Sequence, residues 1–432
     1  MNKAVLAIGA IVCAGLIGPK VVGTIVEKEY NTIASRMDEN PSIEITERTF
    51  ESNWFTGQAM TKIKIKGAGP AADDFQLVVT EQLTFGPIIF ADNSIKFALA
   101  HSDADLNLDI STANQEEQEK LTNFTDKLNE NLSISSVISY GLNYTTMLKM
   151  AEMTIDEDGT ELNIGAIDSE FTLKDEKYMD GYLNWSGLAL KAPDVNVDVS
   201  GLDATFEQEI ISGNVYAGNS LAVGDFTMLM KSIIAQDKSG NETFRIENLT
   251  LSADSKIEDE LMNIGVNYGA DSFKGAGQSL EKLNLDISFN KLDPKVLVEL
   301  NEWVTKMSQE PDNAEKYIQQ LTATASKLLE KDPEINIDDF SVITPEGEIK
   351  SDLQFTIDNT LFDQSNPMSI MAAMKADAKG MGPLAFFQKL GLEPMINMYV
   401  DQGFIVKEAD KLSFAAQFEQ GKLTLNGKVM AL

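Results

Sequence analysis

Residues 283–290 read "LNLDISFN". Leu283, Leu285, Ile287 and Phe289 alternate with Asn284, Asp286, Ser288 and Asn290, a period of two that gives a β-strand one apolar face and one wet face. The pattern returns along the chain in "HSDADLNLDIS" (101–111), "PDVNVDVSG" (193–201), "ETFRIENLTLSADS" (242–255), "SDLQFTID" (351–358) and "GKLTLNGKVM" (421–430). One-faced strands belong to antiparallel sheets whose second face is solvated, whereas doubly covered parallel strands read as unbroken apolar runs. The fold class expected is therefore mainly β with flanking helices (α+β), an extended, curved antiparallel sheet with a wet outer face and a covered or ligand-facing inner one.

Outward from these strands, "SIEITERTFE" (42–51) and "QAMTKIKIKG" (58–67) flank "SNWFTG" as a hairpin, with Gly57 available for a positive φ in the turn. "TIDEDGTEL" (154–162) turns at Asp158-Gly159. Helical periodicity is confined to three regions of the body. Residues 113–132 set Leu121, Phe124, Leu128 and Leu132 on one stripe. Residues 293–333 hold two helices separated by "EPDN", with Pro294 in the first turn and Pro333 closing the second. Residues 382–403 form two short helices broken at Gly391 and Pro394. Each reads as a flank or lid on the sheet. No Pro-, Gly- or Ser-rich linker interrupts the chain, so the division expected is 1–26, 27–290 (the β body with one amphipathic helix) and 291–432 (the helical pair and closing strands of the same body).

The segment 1–26 begins "MNKAVLAIGAIVCAGLIGPKVVG". Ala4 to Val26 would extend about 34 Å as a helix, against a hydrocarbon core of about 30 Å. The apolar side chains that would meet lipid are Ala4, Val5, Leu6, Ile8, Ile11, Val12, Leu16 and Ile17. Cys13 follows Ile11 and Val12 rather than a small residue, which argues against acylation there. "VVG" at 21–23 resembles a processing site, and a retained anchor is preferred over cleavage. Lys3 and the terminal amine place the N-terminus in the cytoplasm by the positive-inside rule, so the body lies across the membrane. Ala10, Ala14 and Gly18 recur every four residues, a small-residue stripe that could pair two anchors in a homodimer. Val26 to Met37 reads as a separate short helix stopped by "DENP".

The remaining composition mainly excludes. Acidic residues outnumber basic ones 67 to 35 for a net charge of −32, which repels phosphate backbones and makes nucleic acid a poor partner. Cys13 is the one cysteine and His101 the one histidine, so no cysteine nucleophile, disulfide framework or multi-histidine metal site can be built in the body. Asp103, Asp105, Asn107 and Asp109 mimic a calcium loop, but Leu108 and Asn114 stand where that loop needs Gly and Glu. His101 lacks a nucleophile elbow and reads as a surface or capping residue. Trp54-Phe55, Phe386-Phe387, Met395 and Met398 read as core, with an apolar surface for lipid tails or a partner as the alternative. No catalytic residue, cofactor or metal ligand is expected.

The order of "MNKAVLAIGAIV", "TFESNWFTGQAMTKIKI", "EQLTFGPIIF", the helical pair of 294–331 and "GKLTLNGKVM" resembles the YdgA-like family of uncharacterised bacterial envelope proteins. Members often carry His-Gly-Pro where this chain has Phe85-Gly86-Pro87, so that histidine cannot be essential here. The resemblance implies a single-pass inner-membrane protein with a periplasmic body, and no catalytic residues to carry over. The layout is also similar to AsmA-like proteins, whose β grooves are associated with lipid traffic. The expected function is a non-enzymatic envelope binding or scaffold protein. The alternatives are an amphiphile carrier and, behind it, a carboxylate-based hydrolase, which would need two acids converging in a pocket with one pKa raised.

Overall fold

The computed structural model describes residues 3–66, 75–91, 94–110, 115–157, 159–310, 313–363 and 366–430, with backbone alone at 3–17, 110, 115–118, 120–121, 157, 308–309 and 367. The chain is mainly β. A long helix α1 (Lys3–Met37) precedes β1 (Ile43–Ser52), β2 (Thr56–Ile65), β3 (Phe75–Phe85), β4 (Ile89–Ala91), β5 (Ser94–Lys96) and β6 (Ala100–Ile110). Then come α2 (Gln115–Asn131), β7 (Leu132–Ile138), β8 (Tyr144–Met150), β9 (Met153–Glu157), β10 (Thr160–Ile164), β11 (Ile167–Lys174), β12 (Tyr178–Lys191) and β13 (Val195–Ser212). The long strands β14 (Leu221–Asp237), β15 (Glu242–Glu258), β16 (Leu261–Gly275) and β17 (Gln278–Leu292) lead to α3 (Pro294–Gln309) and α4 (Ala314–Leu328). The chain continues through β18 (Glu334–Thr344), β19 (Gly347–Ile357), α5 (Ile370–Ala373), β20 (Met374–Pro383), α6 (Leu384–Lys389) and α7 (Glu393–Gln402). It closes with β21 (Val406–Glu408), β22 (Lys411–Glu419), β23 (Lys422–Leu425) and β24 (Lys428–Met430).

Two compact units result. The first comprises Met1–Ile155, Asn163–Ser186 and Phe206–Ala222, and the second Asp156–Leu162, Gly187–Thr205 and Val223–Leu432. No unit boundary falls near residue 290, where the sequence suggested a division. The helical pair is an excursion between two strands that pair with each other, Asn290 of β17 lying opposite Glu334 of β18. Asp293 starts that excursion by accepting the Lys295 N–H at 2.9 Å, with Pro294 in the first turn as expected. Trp303 of α3 donates to Thr324 of α4 at 3.1 Å and holds the two helices together.

In the first unit, β1, β2, β3, β6, β7, β8, β11 and the start of β12 form one antiparallel ladder. The expected β1–β2 hairpin is present, pairing Ser52 with Gly57. Beyond residue 104 the outer edge of β6 is met by α2, where the Asn129 amide donates to Leu106 O at 2.7 Å and accepts from Leu106 N at 3.2 Å. A side chain thus takes the place of a neighbouring strand. Phe124 and Leu128 are half-buried as the helical stripe requires, while the side chain of Leu121 lies outside the described residues.

The N-terminal helix departs from expectation in one respect. The segment expected as an anchor and the short helix at 26–37 are a single helix, because no proline follows Pro19 before Met37 and the stripe Val22, Val26, Tyr30 and Ala34 docks continuously on the ladder. Val22 and Val26 of the helix close over Ala59, Leu83, Phe85, Leu99 and Ala100, and together they form the core of this unit. Phe85, 2% exposed, is the wedge. A Cβ on Gly23 of α1 would lie 2.8 Å from Phe85 Cε2, and one on Gly57 of β2 would lie 2.8 Å from Phe85 Cζ. Gly57 therefore serves by lacking a side chain under an aromatic ring, not by a positive φ.

Phe85→Ala should cost about 3–5 kcal/mol by cavity formation, and Gly57→Ala about 1–3 kcal/mol by overpacking the ring. Gly141→Ala, whose added Cβ meets nothing closer than 3.6 Å, should stay within about 0.5 kcal/mol. Denaturant unfolding of the full chain checks the order of the three.

Candidate functional site

The strand quoted at the outset carries part of an apolar sheet face in the second unit. On β16, Ile264, Val266, Tyr268 and Ala270 share a face and stand opposite Phe289, Ile287, Leu285 and Leu283 of β17. The rows continue across the ladder. Ile287 meets Ile337, which meets Leu353 and then Ala378, while Leu285 meets Phe340, then Ser351, Gly380 and Phe414. Among the described residues of β14–β17 in this unit, the buried apolar side chains are Met262 and Ala270 alone. The others on this face are half-buried or more open, Tyr268 being 43% and Phe414 38% exposed. The protein's own side chains therefore leave this face partly uncovered.

The opposite face is polar and closed by its own hydrogen bonds. The Asn267 amide donates to Asn284 Oδ1 at 2.9 Å, and Asn284 donates to Asp339 Oδ2 at 2.8 Å. Ser341 also donates to Asp339, and Lys350 pairs with it at 3.1 Å. These donors hold the Asp339 carboxyl below its ordinary range, the Asn284 amide contributing most. The chemistry divides by strand face as the period-two sequence implies.

The row that ends at Gly380 and Phe414 runs into a pocket of about 290 Å³ walled by β19, β20, β22, α6 and α7. Its walls are almost wholly apolar, with Phe387, Leu392, Ile396, Tyr399, Leu412 and Phe414 prominent. Two glycines make the floor flat. A Cβ on Gly380 would overlap the Phe414 ring, and one on Gly382 would stand 3.0 Å from Phe387 Cε2. The helical cover is pinned at both ends, Leu384 N donating to Asp410 O at 2.7 Å and Lys428 Nζ to Gln402 O at 3.0 Å. Pro394 lies in the first turn of α7, so the break between α6 and α7 is made at Gly391, with φ +75°. Only Ile396 of α7 is fully buried, and Met395 and Met398 are 46% and 47% exposed. The expectation that these methionines are core is thus corrected: Met395 stands at the rim of the pocket and Met398 is exposed on α7, because a ten-residue helix on a sheet buries one stripe and leaves the next.

The first unit holds a second cavity, about 310 Å³, between α1 and the ladder face. Its walls include Glu29, Tyr30, Glu81, Ser102 and Tyr144 among apolar side chains. Burial pushes the Glu81 carboxyl above its ordinary range, although Ser102 Oγ donates to it at 3.3 Å and opposes the shift. The Tyr144 hydroxyl is buried without a well-formed hydrogen bond, and burial first, then the Glu29 carboxylate, raise its pKa. Tyr30 donates to Met60 O at 3.1 Å and bonds Thr61 Oγ1 at 2.6 Å, so its hydroxyl is already committed.

The residues singled out in the sequence are dispersed. The side chains of Ala4, Val5, Leu6, Ile8, Ala10, Ile11, Val12, Ala14, Leu16 and Ile17 lie outside the described residues, and among the described residues no helix is long and apolar enough to cross a membrane. Gly18, the last of the small-residue stripe, faces the protein's own Pro87, whose Cδ would be 3.4 Å from an added Cβ. His101 is not a surface residue; it is 1% exposed inside β6, opposite Thr84 and Val137, with Nδ1 3.5 Å from Asp103 Oδ2. The acids of β6 point outward as the strand reading requires, and among the described residues no three His, Cys, Asp or Glu side chains gather as a metal site. Trp54 and Phe55 are 51% and 47% exposed, another correction to the expected core, since they occupy the β1–β2 turn rather than a strand face. Phe386 and Phe387 are half-buried, edge to face at 5.5 Å.

Over residues 1–432 the chain matches the family described as "Bacterial protein of unknown function (DUF945)", and it belongs to that family. No curated protein and no solved structure matches it.

Because the folded pKa of Glu81 is raised, its carboxyl binds a proton more tightly folded than unfolded. Stability contributed by this group is present below the unfolded pKa and falls as pH rises through the window up to the folded value. Glu81→Gln should therefore raise the melting temperature at pH 7 more than at pH 4, leaving a flatter stability profile across that interval, as thermal melts at the two pH values would record.

Proposed function

We propose that this bacterial chain is a non-enzymatic, membrane-anchored binding protein of the cell envelope. Its second unit accommodates the apolar chain of a lipid or other amphiphile along the β16–β20 face and into the pocket beneath α6 and α7. The observation that carries the reading is the incompletely covered apolar face: a row that ends in Tyr268 and Phe414, 43% and 38% exposed, with Leu285 and Phe340 only partly buried between them. The pocket's volume is at the small end of ligand sites, which run about 300–1,000 Å³, and suits the end of one acyl chain rather than a whole lipid. Covering such a surface gains about 25 cal/mol per Å² removed from water, with no polar partner needed inside. The apolar sequence at 4–26, read as an anchor, and the resemblance of the sequence to YdgA-like and AsmA-like proteins both suit a task at a membrane. An envelope protein partner covering the same face is the scaffold version of this reading.

A second reading follows from the other cavity. Glu29 and Glu81 both line it and the Glu81 pKa is raised, the arrangement a carboxylate-based hydrolase needs. Against it, Ser102, Tyr30 and Ser136 already spend their hydroxyls on Glu81, Thr61 and Thr146, leaving few groups to orient a polar substrate.

A photoactivatable fatty acid incubated with the full chain in lipid nanodiscs distinguishes these readings. Cross-links should concentrate on β16–β20, β22 and α7, and Met395→Trp, at the exposed rim, should reduce those within the pocket about tenfold. Labelling spread evenly over the surface would remove the amphiphile reading and leave the protein-partner version.

A further inference from the structure

The connection between β3 and β6, residues 86–99, projects a small apolar hairpin. Ile89 is fully buried at its base, whereas Ile88, Phe90, Ile95 and Phe97 are 52%, 77%, 58% and 70% exposed. Phe90 and Ile95 are opposite each other across the β4–β5 pair. Exposed single apolar residues are ordinary, but four on one hairpin are not. Asp92 and Lys96 are the only charged residues of the fourteen, in a chain carrying 67 acids.

Its position supplies the partner. Pro87, at the root of the hairpin, packs against Gly18 of α1, at the point where the helix passes into the unbroken apolar sequence 4–17. Around the same level stand the 54%-exposed Val21 of α1 and two further aromatic elements. Tyr140, 54% exposed, donates its hydroxyl to Pro87 O at 2.6 Å. The Trp54-Phe55 turn is tied to the root of the hairpin by Phe85 N donating to Phe55 O at 2.8 Å. Lys20, exposed on α1, adds a cation at this level. Aromatic rings with a polar edge and a lysine able to snorkel are the residues that favour the boundary between headgroups and acyl chains.

We propose that this collar, led by Phe90 and Phe97, inserts into the surface of the lipid bilayer in which the N-terminal segment is anchored. The first unit then meets the membrane at two points, a helix and a hairpin, and cannot swing freely about a single tether. The proposal rests on the anchor reading of residues 4–26 and is independent of what the second unit binds.

Single nitroxide labels test it in the full chain. In a Cys13→Ser background, Phe90→Cys, Phe97→Cys and the control Lys238→Cys are labelled and reconstituted into phosphatidylethanolamine–phosphatidylglycerol vesicles. The ratio of collision with oxygen to collision with a water-soluble nickel chelate is then measured. Labels at 90 and 97 should show a ratio at least tenfold above that at 238. A ratio at 90 and 97 equal to that at 238, with the protein still held by the vesicles, would overturn the hairpin proposal while sparing the anchor. Spin–spin broadening between labels at 90 would assign the collar to a second copy of the chain and overturn it equally. Protein that floats free of the vesicles would dispose of both readings.

Discussion

The Phe85 ring, seated where Gly23 and Gly57 have no side chains, is the contact on which the first unit depends. An α-helix normally stands about 10 Å from a sheet because side chains separate them; two facing glycines let one aromatic ring fill the interval. From that wedge the helix runs outward in both directions. Toward its C-terminus, Tyr30 packs on Phe50 with ring centroids 5.3 Å apart, and Arg36 reaches Glu176 at 2.7 Å. Toward its N-terminus, Gly18 meets Pro87 and fixes the β4–β5 hairpin beside the apolar segment. The same docking leaves the cavity that strands Glu81 and the Tyr144 hydroxyl away from water.

The two units treat the apolar face of their strands differently. In the first, α1 supplies Val22, Val26 and Ala34 to cover it, and the residues beneath fall to a few per cent exposure. In the second, α6 and α7 cover only the portion over β19, β20 and β22, and the rows on β16 and β17 stay half-open. A sheet face of this length left without a cover is an energetic cost that folding alone does not require, since apolar surface gains stability by leaving water. An apolar ligand or partner bound there would recover that gain.

Strand identity was legible in the sequence because alternation is a local property. "LNLDISFN" falls within β17, and residues 101–110 of "HSDADLNLDIS" fall within β6, with the expected faces; the β1–β2 hairpin and the helical pair with Pro294 in its first turn also lie where the sequence places them. What the sequence hid was set by partners distant along the chain. Gly57 reads as a turn residue until Phe85, 28 positions later, is seen resting on it. His101 reads as polar surface because nothing local says that β3 and β7 flank it. The exposure of Trp54, Phe55, Met395 and Met398 could not be read from hydrophobicity, which marks residues able to be buried without saying by what. The candidate pocket was hidden for the same reason: Gly380 and Gly382 are uninformative until Phe414 and Phe387 lie over them.

Exposed apolar surface invites self-association, and the charge of −32 opposes it. The acids are carried on the wet strand faces, as Asp103, Asp105 and Asp109 are on β6, so two copies approaching broadside repel before their apolar faces can meet. The same sign repels anionic headgroups. An acidic body beside a bilayer would be held off everywhere except where charge is sparse and apolar side chains project, and the β4–β5 hairpin answers that description, with one acid and one base in fourteen residues. Over a Debye length of about 8 Å at physiological salt, the repulsion is short enough for a projecting hairpin to cross while the acidic strands behind it remain in water. On the proposed membrane reading, charge and hydrophobicity act together, the first restricting where the body could touch a bilayer and the second making contact favourable at the place that remains.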